Sequence, residues 1–163
     1  MRVLSNAIRL VAHGSSIVSM PISIRINFHH DDSVTIHTYE DQRYLEREGV
    51  EVTEGEVVLF KKVSSDFKTQ EGTVNETEWK IGTTVTHKDW NTTLNECGKG
   101  KFHACSRPYF CDDFRNAPLD KYVAVQIKIE DLYEWPNATH PHKIAFREGT
   151  VLHECDKFGR KVG

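Results

Sequence analysis

KYVAVQIKI, residues 121–129, carries the clearest structural signal in this sequence. Tyr122, Val123, Val125, Ile127 and Ile129 are β-formers and mostly alternate, which is the period of a strand. Downstream, DLYEW (131–135) reads as a turn or a single helical turn. HKIAF (142–146) and TVLHEC (150–155) read as two late strands with a turn at Gly149 between them, and DKFGR (156–160) as a closing turn at Gly159. Upstream, SRPYFCDDF (106–114) has the marks of a helix: Ser106 to cap it, Pro108 in the first turn, Asp112 after it. FHAC (102–105) is a short strand at the end of a loop over residues 87–101, and WKIGTTVT (79–86) is extended. SSDFKTQEGTVNETE (64–78) is polar enough for a surface loop, while GVEV (49–52) and EGEVVLFKKV (54–63) are strand material. DQRYLERE (41–48) predicts a short helix capped by Asp41. ISIRINF (22–28) and SVTIHTYE (33–40) alternate on either side of HHDDS, which predicts a hairpin.

No internal repeat, low-complexity tract or linker is visible. The expected fold is a single α+β domain over residues 21–163, with a mainly antiparallel sheet, whole or split, and two or three short helices. Residues 1–20, rich in Ser and Arg and free of acids, read as a flexible N-terminal extension, with Met20 as the natural start.

The 163 residues (18.7 kDa) suit one domain, and 38% hydrophobic against 28% charged residues, with mean hydropathy −0.52, is an ordinary polar composition. No stretch approaches the roughly 18 consecutive apolar residues of a membrane-spanning helix. A net charge of −3 and a pI of about 6.3 give no bulk attraction to nucleic acid. The charge is uneven: residues 30–78 are acidic, whereas 98–128 are basic through Lys99, Lys101, Arg107, Arg115, Lys121 and Lys128. Such a stretch is either a solvated mixed surface or a place to hold a phosphate. Sequons at Asn75, Asn91 and Asn137 carry little meaning without a signal peptide.

Four cysteines are present: Cys97, Cys105, Cys111 and Cys155. His103 stands two before Cys105, and His153 two before Cys155, so HAC and HEC share one spacing. On a strand, residues i and i+2 share a face. If the two strands were neighbours, soft ligands would converge as tetrahedral zinc requires, from the four cysteines or with His103 and His153 replacing two of them. Buried free thiols and disulfides are the other readings. A zinc deaminase is disfavoured, because HAC puts Cys105 where that chemistry needs a glutamate. Cys97-Gly98-Lys99-Gly100-Lys101 is a tight basic turn, read either as plain structure or as an anion site using Lys99 and Lys101. Trp79, Trp90, Tyr109, Phe110 and Trp135 read as packing rather than base-stacking residues. His140, Pro141 and His142 read as a loop before a strand.

VLFKKV, WKIG, ECGKGKFHAC, KYVAVQI, HKIAF and TVLHECDKFG, spread from about Phe60 to Gly159, resemble an uncharacterised family of small phage and bacterial proteins with a CGxGxFHxC core. The likeness covers about 100 of the 163 residues. More remotely, GKFHACSRP followed by a strand is similar to the ADP-ribosyltransferase-like fold and its RNA 2′-phosphotransferase branch. That resemblance implies a nicotinamide nucleotide or phosphate ligand, NAD as cofactor, and site roles for Lys61, His103 and Arg107, with Glu148 as the nearest acidic residue.

Three functional expectations follow. The first is a cytoplasmic accessory or interaction domain, of a bacterium or a phage-infected host, that holds zinc structurally and meets a protein partner. The second is an ADP-ribosyltransferase-like enzyme or a nucleotide- or phosphate-binding protein. The third is a virion component whose residues 1–28 pack against neighbouring subunits.

Overall fold

A computed structural model describes residues 9–21, 27–39, 44–92, 100–134 and 140–163. The chain divides into two units, residues 1–42 and 43–163. The division thus falls after Gln42, not after the expected extension, and part of that extension is structured.

The first unit holds four strands: β1 (Arg9–Ala12), β2 (Ile17–Pro21), β3 (Asn27–His30) and β4 (Thr35–Tyr39). β1 runs parallel to β3 and β2 parallel to β4, and every partner lies 18 positions further along the chain. Two strand–turn–strand arms are therefore stacked in one continuous register. The stacking extends into the turns, where the Gly14 N–H donates to Asp31 Oδ2 at 3.1 Å and the Thr35 N–H to the Ser16 carbonyl at 2.9 Å. This corrects the predicted hairpin. His29 and His30 belong to a strand rather than to a turn, and β3 and β4 pair with earlier strands instead of with each other. Residues 22–26 of the predicted strand lie outside the described residues. Alternation marks an extended segment but does not name its partner.

In the second unit, α1 (Tyr44–Glu48) is the described part of the helix predicted over 41–48; Asp41, its expected cap, lies outside the described residues. Then come β5 (Glu56–Val63), β6 (Lys68–Thr69), β7 (Thr77–Glu78), β8 (Thr84–Thr86), β9 (Phe102–Cys105), β10 (Lys121–Lys128), β11 (Leu132–Tyr133), β12 (Lys143–Phe146) and β13 (Glu148–Cys155). Seven of these strands form one antiparallel sheet in the order β11-β12-β9-β5-β10-β13-β8, while β6 and β7 make a separate ribbon. Among its described residues the unit is mostly β, with a single turn-and-a-half of α-helix and two 3-10 turns at Pro108–Asp113 and Ile129–Asp131. Among the described residues no helix is long and apolar enough to cross a membrane.

β5 and β10 make the spine. Val57, Leu59 and Val63 alternate inward on β5, facing Val123, Val125 and Ile127 of β10, all buried. Burying a side chain of that size contributes about 1.5–3 kcal/mol. Val151, Ile144, Phe146, Trp79 and Tyr44 complete the core. Tyr44 anchors α1: its hydroxyl donates to the His142 carbonyl at 2.6 Å and its N–H to Glu134 Oε2 at 2.9 Å.

Several local expectations change. GVEV is not a strand: Gly49 turns out of α1, and β5 begins only after a tight turn closed by the Thr53–Glu56 bridge. Residues 64–78 are not wholly irregular, since they contain the β6–β7 ribbon. Ser106 does not cap the following turn; Arg107 holds that position, and the Ser106 hydroxyl donates instead to Glu48 Oε2 at 2.6 Å. Gly149 is not a turn residue but lies within β13, where an added Cβ would come 2.6 Å from Val125 Cγ1. It is glycine because the neighbouring strand leaves room only for hydrogen.

Candidate functional site

On one side β5 pairs with β10 from Lys121 opposite Val63 to Lys128 opposite Glu56. On its other side it meets β9 at a single pair, Phe60 opposite Cys105. Beyond that pair the sheet opens, and a cleft of about 1060 Å³ lies beside the seam. Its lining includes Lys61, Lys101, His103 and Lys143, with Thr84 and Thr86 on the opposite wall.

Lys61 falls on the inward phase of β5, between Leu59 and Val63, where an apolar side chain is the rule. It is half-buried as a residue, but its amine is enclosed. The Nζ donates to the His103 carbonyl at 2.8 Å and lies 4.6 Å from the centre of the Trp79 ring. Trp79 is fully buried, held by its indole N–H on Thr69 Oγ1 at 2.9 Å and by edge contacts with Phe102 and Phe146. Burial pushes the Lys61 ammonium down to about 8; Cys111 and Cys105 pull the other way, and Lys143 adds to the depression.

The neighbouring lysines are enclosed as well. Lys101 is 4% and Lys143 7% exposed, and the Lys143 amine lies 4.1 Å from the centre of the Phe114 ring. Their combined field is registered by His103. Burial first, and then Lys143, Lys61 and Lys101, push its imidazole down to about 2, so it is neutral at physiological pH. His103 lines the cleft together with Lys61, Lys101 and Lys143. Such a constellation favours an anion.

The cysteine expectation is reshaped. HAC lies on β9 and HEC on β13, and both β5 and β10 stand between them. Three strand spacings of about 4.8 Å separate the doublets by roughly 14 Å. The two H-x-C pairs are therefore not on neighbouring strands, as convergence on one zinc required. Cys105 and Cys111 are neighbours, and the Cys111 thiol donates to the Phe60 carbonyl at 3.3 Å. The neighbouring Cys105 thiol and burial hold Cys111 well above the ordinary thiol value. Cys155 stands apart, raised to about 11 by burial, with Asp156 and Glu154 adding to it. Cys105, Cys111 and Cys155 are all free and buried. Among the described residues no three His, Cys, Asp or Glu side chains gather as a metal would need. Cys97 and Lys99 lie outside the described residues.

The residues implied by the transferase resemblance separate into two groups. Lys61 and His103 meet, as described. Arg107 does not join them: its guanidinium donates to the Ser106 carbonyl at 2.8 Å, and the side chain lines a different, acidic groove with Glu51, Glu54 and Glu56. Glu148, on β13, accepts a hydrogen bond from Thr86 Oγ1 at 2.5 Å and stands behind that cleft wall rather than on it. His153 lies on β13 opposite Ala124, away from His103.

Two further groupings were not apparent from sequence. Lys143 reads as the polar start of a strand, and nothing local marks it as a wall of the cleft. Glu48 joins Ser106 and His142, with His142 Nδ1 at 2.8 Å from Glu48 Oε2. Burial works against that carboxylate, but the hydrogen bonds of Ser106 and His142 outweigh it and hold it below its ordinary range. The serine donates to a carboxylate rather than to the imidazole, so this is a pin between α1 and the sheet, not a nucleophile with its base. The aromatic residues act as packing where described: Trp79 in the core, Trp90 edge-on to Tyr133, Tyr109 against Phe110, and Phe110 stacked on His142.

Comparison with family models, curated proteins and solved structures finds no match to this chain. The cleft is therefore read from its own chemistry.

Proposed function

We propose that the second unit binds a small phosphate-bearing ligand of nucleotide size in the cleft beside the β5–β9 seam. The observation that carries this reading is that Lys61 of β5, Lys101 just before β9 and Lys143 of β12 line one cleft with His103. Three lysines lining one cleft favour an anionic ligand there. Ligand clefts commonly span about 300–1000 Å³, so about 1060 Å³ leaves room for a nucleotide. With Glu148 held by Thr86 behind the wall, no ribosyl-transfer step is derived for this cleft.

Calorimetric titration with ADP, adenosine and inorganic phosphate tests the reading. ADP and phosphate bind, adenosine does not, and added salt weakens the binding. Lys101→Met and Lys143→Met, which keep the stems, each remove a charge-assisted contact of about 1.5–3 kcal/mol, a weakening of roughly 10- to 100-fold. Equal affinity for ADP and adenosine, or no heat with either anion, contradicts it.

A further inference from the structure

Lys61 differs from the cations around it. Lys62, the next residue on β5, is paired with Asp112 at 2.6 Å, and Lys68 with Glu76 at 2.7 Å. Among the described residues no carboxylate pairs with Lys61; its amine has the His103 carbonyl and the Trp79 ring. It nevertheless lines a cleft large enough for a ligand. An amine enclosed in this way loses its proton easily, and with its value near 8 roughly a tenth is free base at pH 7. Free amine is the nucleophile that attacks carbonyl carbon, and lysines desolvated beside other cations are the ones so activated. The nearby Cys111 thiol does not compete, because its neighbour Cys105 and burial keep it protonated.

We infer that Lys61 is a covalent site for phosphorylated aldehydes or ketones, its Nζ forming an imine while Lys101 and Lys143 hold the phosphate. The nitrogen lone pair adds to the carbonyl carbon, and the carbonyl π electrons move to oxygen. Both amine hydrogens then pass to that oxygen, which leaves as water as the C=N bond forms. No oxidant or reductant takes part. The phosphate half of this inference rests on the anion-binding reading of the same cleft; the imine rests on the placement of Lys61.

Pyridoxal 5′-phosphate, an aldehyde with a phosphate, is a direct probe, and borohydride converts the imine to a stable secondary amine by hydride addition. The full chain, treated at low probe concentration, reduced and digested, carries one label per chain on Lys61. Inorganic phosphate protects it, and pyridoxal without the phosphate requires at least about 10-fold more probe. Mapping on the unaltered protein makes the result independent of whether a variant folds; Lys61→Arg, checked by circular dichroism, then abolishes the label. Label spread over exposed lysines, or placed on Lys143 rather than Lys61, overturns the covalent site. Label on Lys61 that phosphate does not protect, with pyridoxal as effective as its phosphate, overturns the phosphate half and the anion-binding reading with it.

Discussion

The two seams of β5 are built in opposite ways. Toward β10 the ladder runs the length of the strand, and Leu59, Val123 and Val125 are fully buried along it. Toward β9 only Phe60 and Cys105 pair, a lysine takes the inward position, and a cleft opens. One strand thus contributes cohesion on one edge and polar chemistry on the other. The difference teaches where a sheet can carry a site: at the seam where pairing stops, because backbone groups and inward side chains there are released from the ladder. The His103 carbonyl illustrates it, being satisfied by a lysine amine.

The largest expected break is on the closed seam. Leu59→Ala removes a fully buried side chain from the spine and costs about 2–5 kcal/mol, read as a lowered urea midpoint. A smaller loss is expected one strand further out. Gly149→Ala places a methyl 2.6 Å from Val125 Cγ1 and 3.2 Å from the Gln126 carbonyl, and the forced shift costs about 1–3 kcal/mol. Neither substitution touches the lysines, so anion binding per folded molecule stays unchanged.

The open seam responds with the opposite sign. Folded Lys61 releases its proton near 8, whereas an ordinary lysine does so near 10.5. Between those values the unfolded chain binds more protons, so this group makes stability rise with pH. Below pH 8 the cost of enclosing the ammonium is fully present. Lys61→Met removes it and stabilises the protein there by on the order of 1 kcal/mol, once the lost hydrogen bond and ring contact are set against the gain. That advantage shrinks as pH rises from about 8 toward 10.5. Urea unfolding of both proteins at pH 7 and pH 10 measures it, and a pH-independent difference would show that the ammonium is not strained by its surroundings.

The smallest effect belongs to the surface. Arg115 grips Glu71 with two bonds of 2.8 and 2.5 Å, but the pair is partly exposed. Glu71→Gln is expected to cost no more than about 1 kcal/mol, and less in high salt. A larger loss would make this pair part of the structure of the cleft wall.

How far the sequence could be read is clearest in particular elements. β5, β10 and β13 were legible as runs rich in β-branched residues, which report a pleated segment wherever it sits, whereas FHAC of β9 and KIAF of β12 were read as short strands without such a run. The stacked arms of the first unit were not. Their 18-residue register relates segments of different composition, HGSS over DDSV in the turns, so no repeat shows in the letters. Gly149 misled because a turn and a close strand approach both call for glycine. At the site, Lys61 had a local signature, a charge on the inward phase of an apolar strand. Lys143 had none, and Arg107 and Glu148 were drawn in by analogy and lie elsewhere.

Alternation, turn residues and the absence of a long apolar run depend only on near neighbours along the chain, and they were enough to predict an α+β fold with a mainly antiparallel sheet and to locate its main strands, though not that the chain is mostly β. The order of those strands is a matter of contacts between residues far apart in sequence. Only the tertiary structure placed β5 and β10 between HAC and HEC, which keeps the two doublets apart, and brought Lys61, Lys101 and Lys143 into one cleft with His103. Which side chains share a point in space is settled by strand pairing across the whole sheet, and no local pattern encodes it.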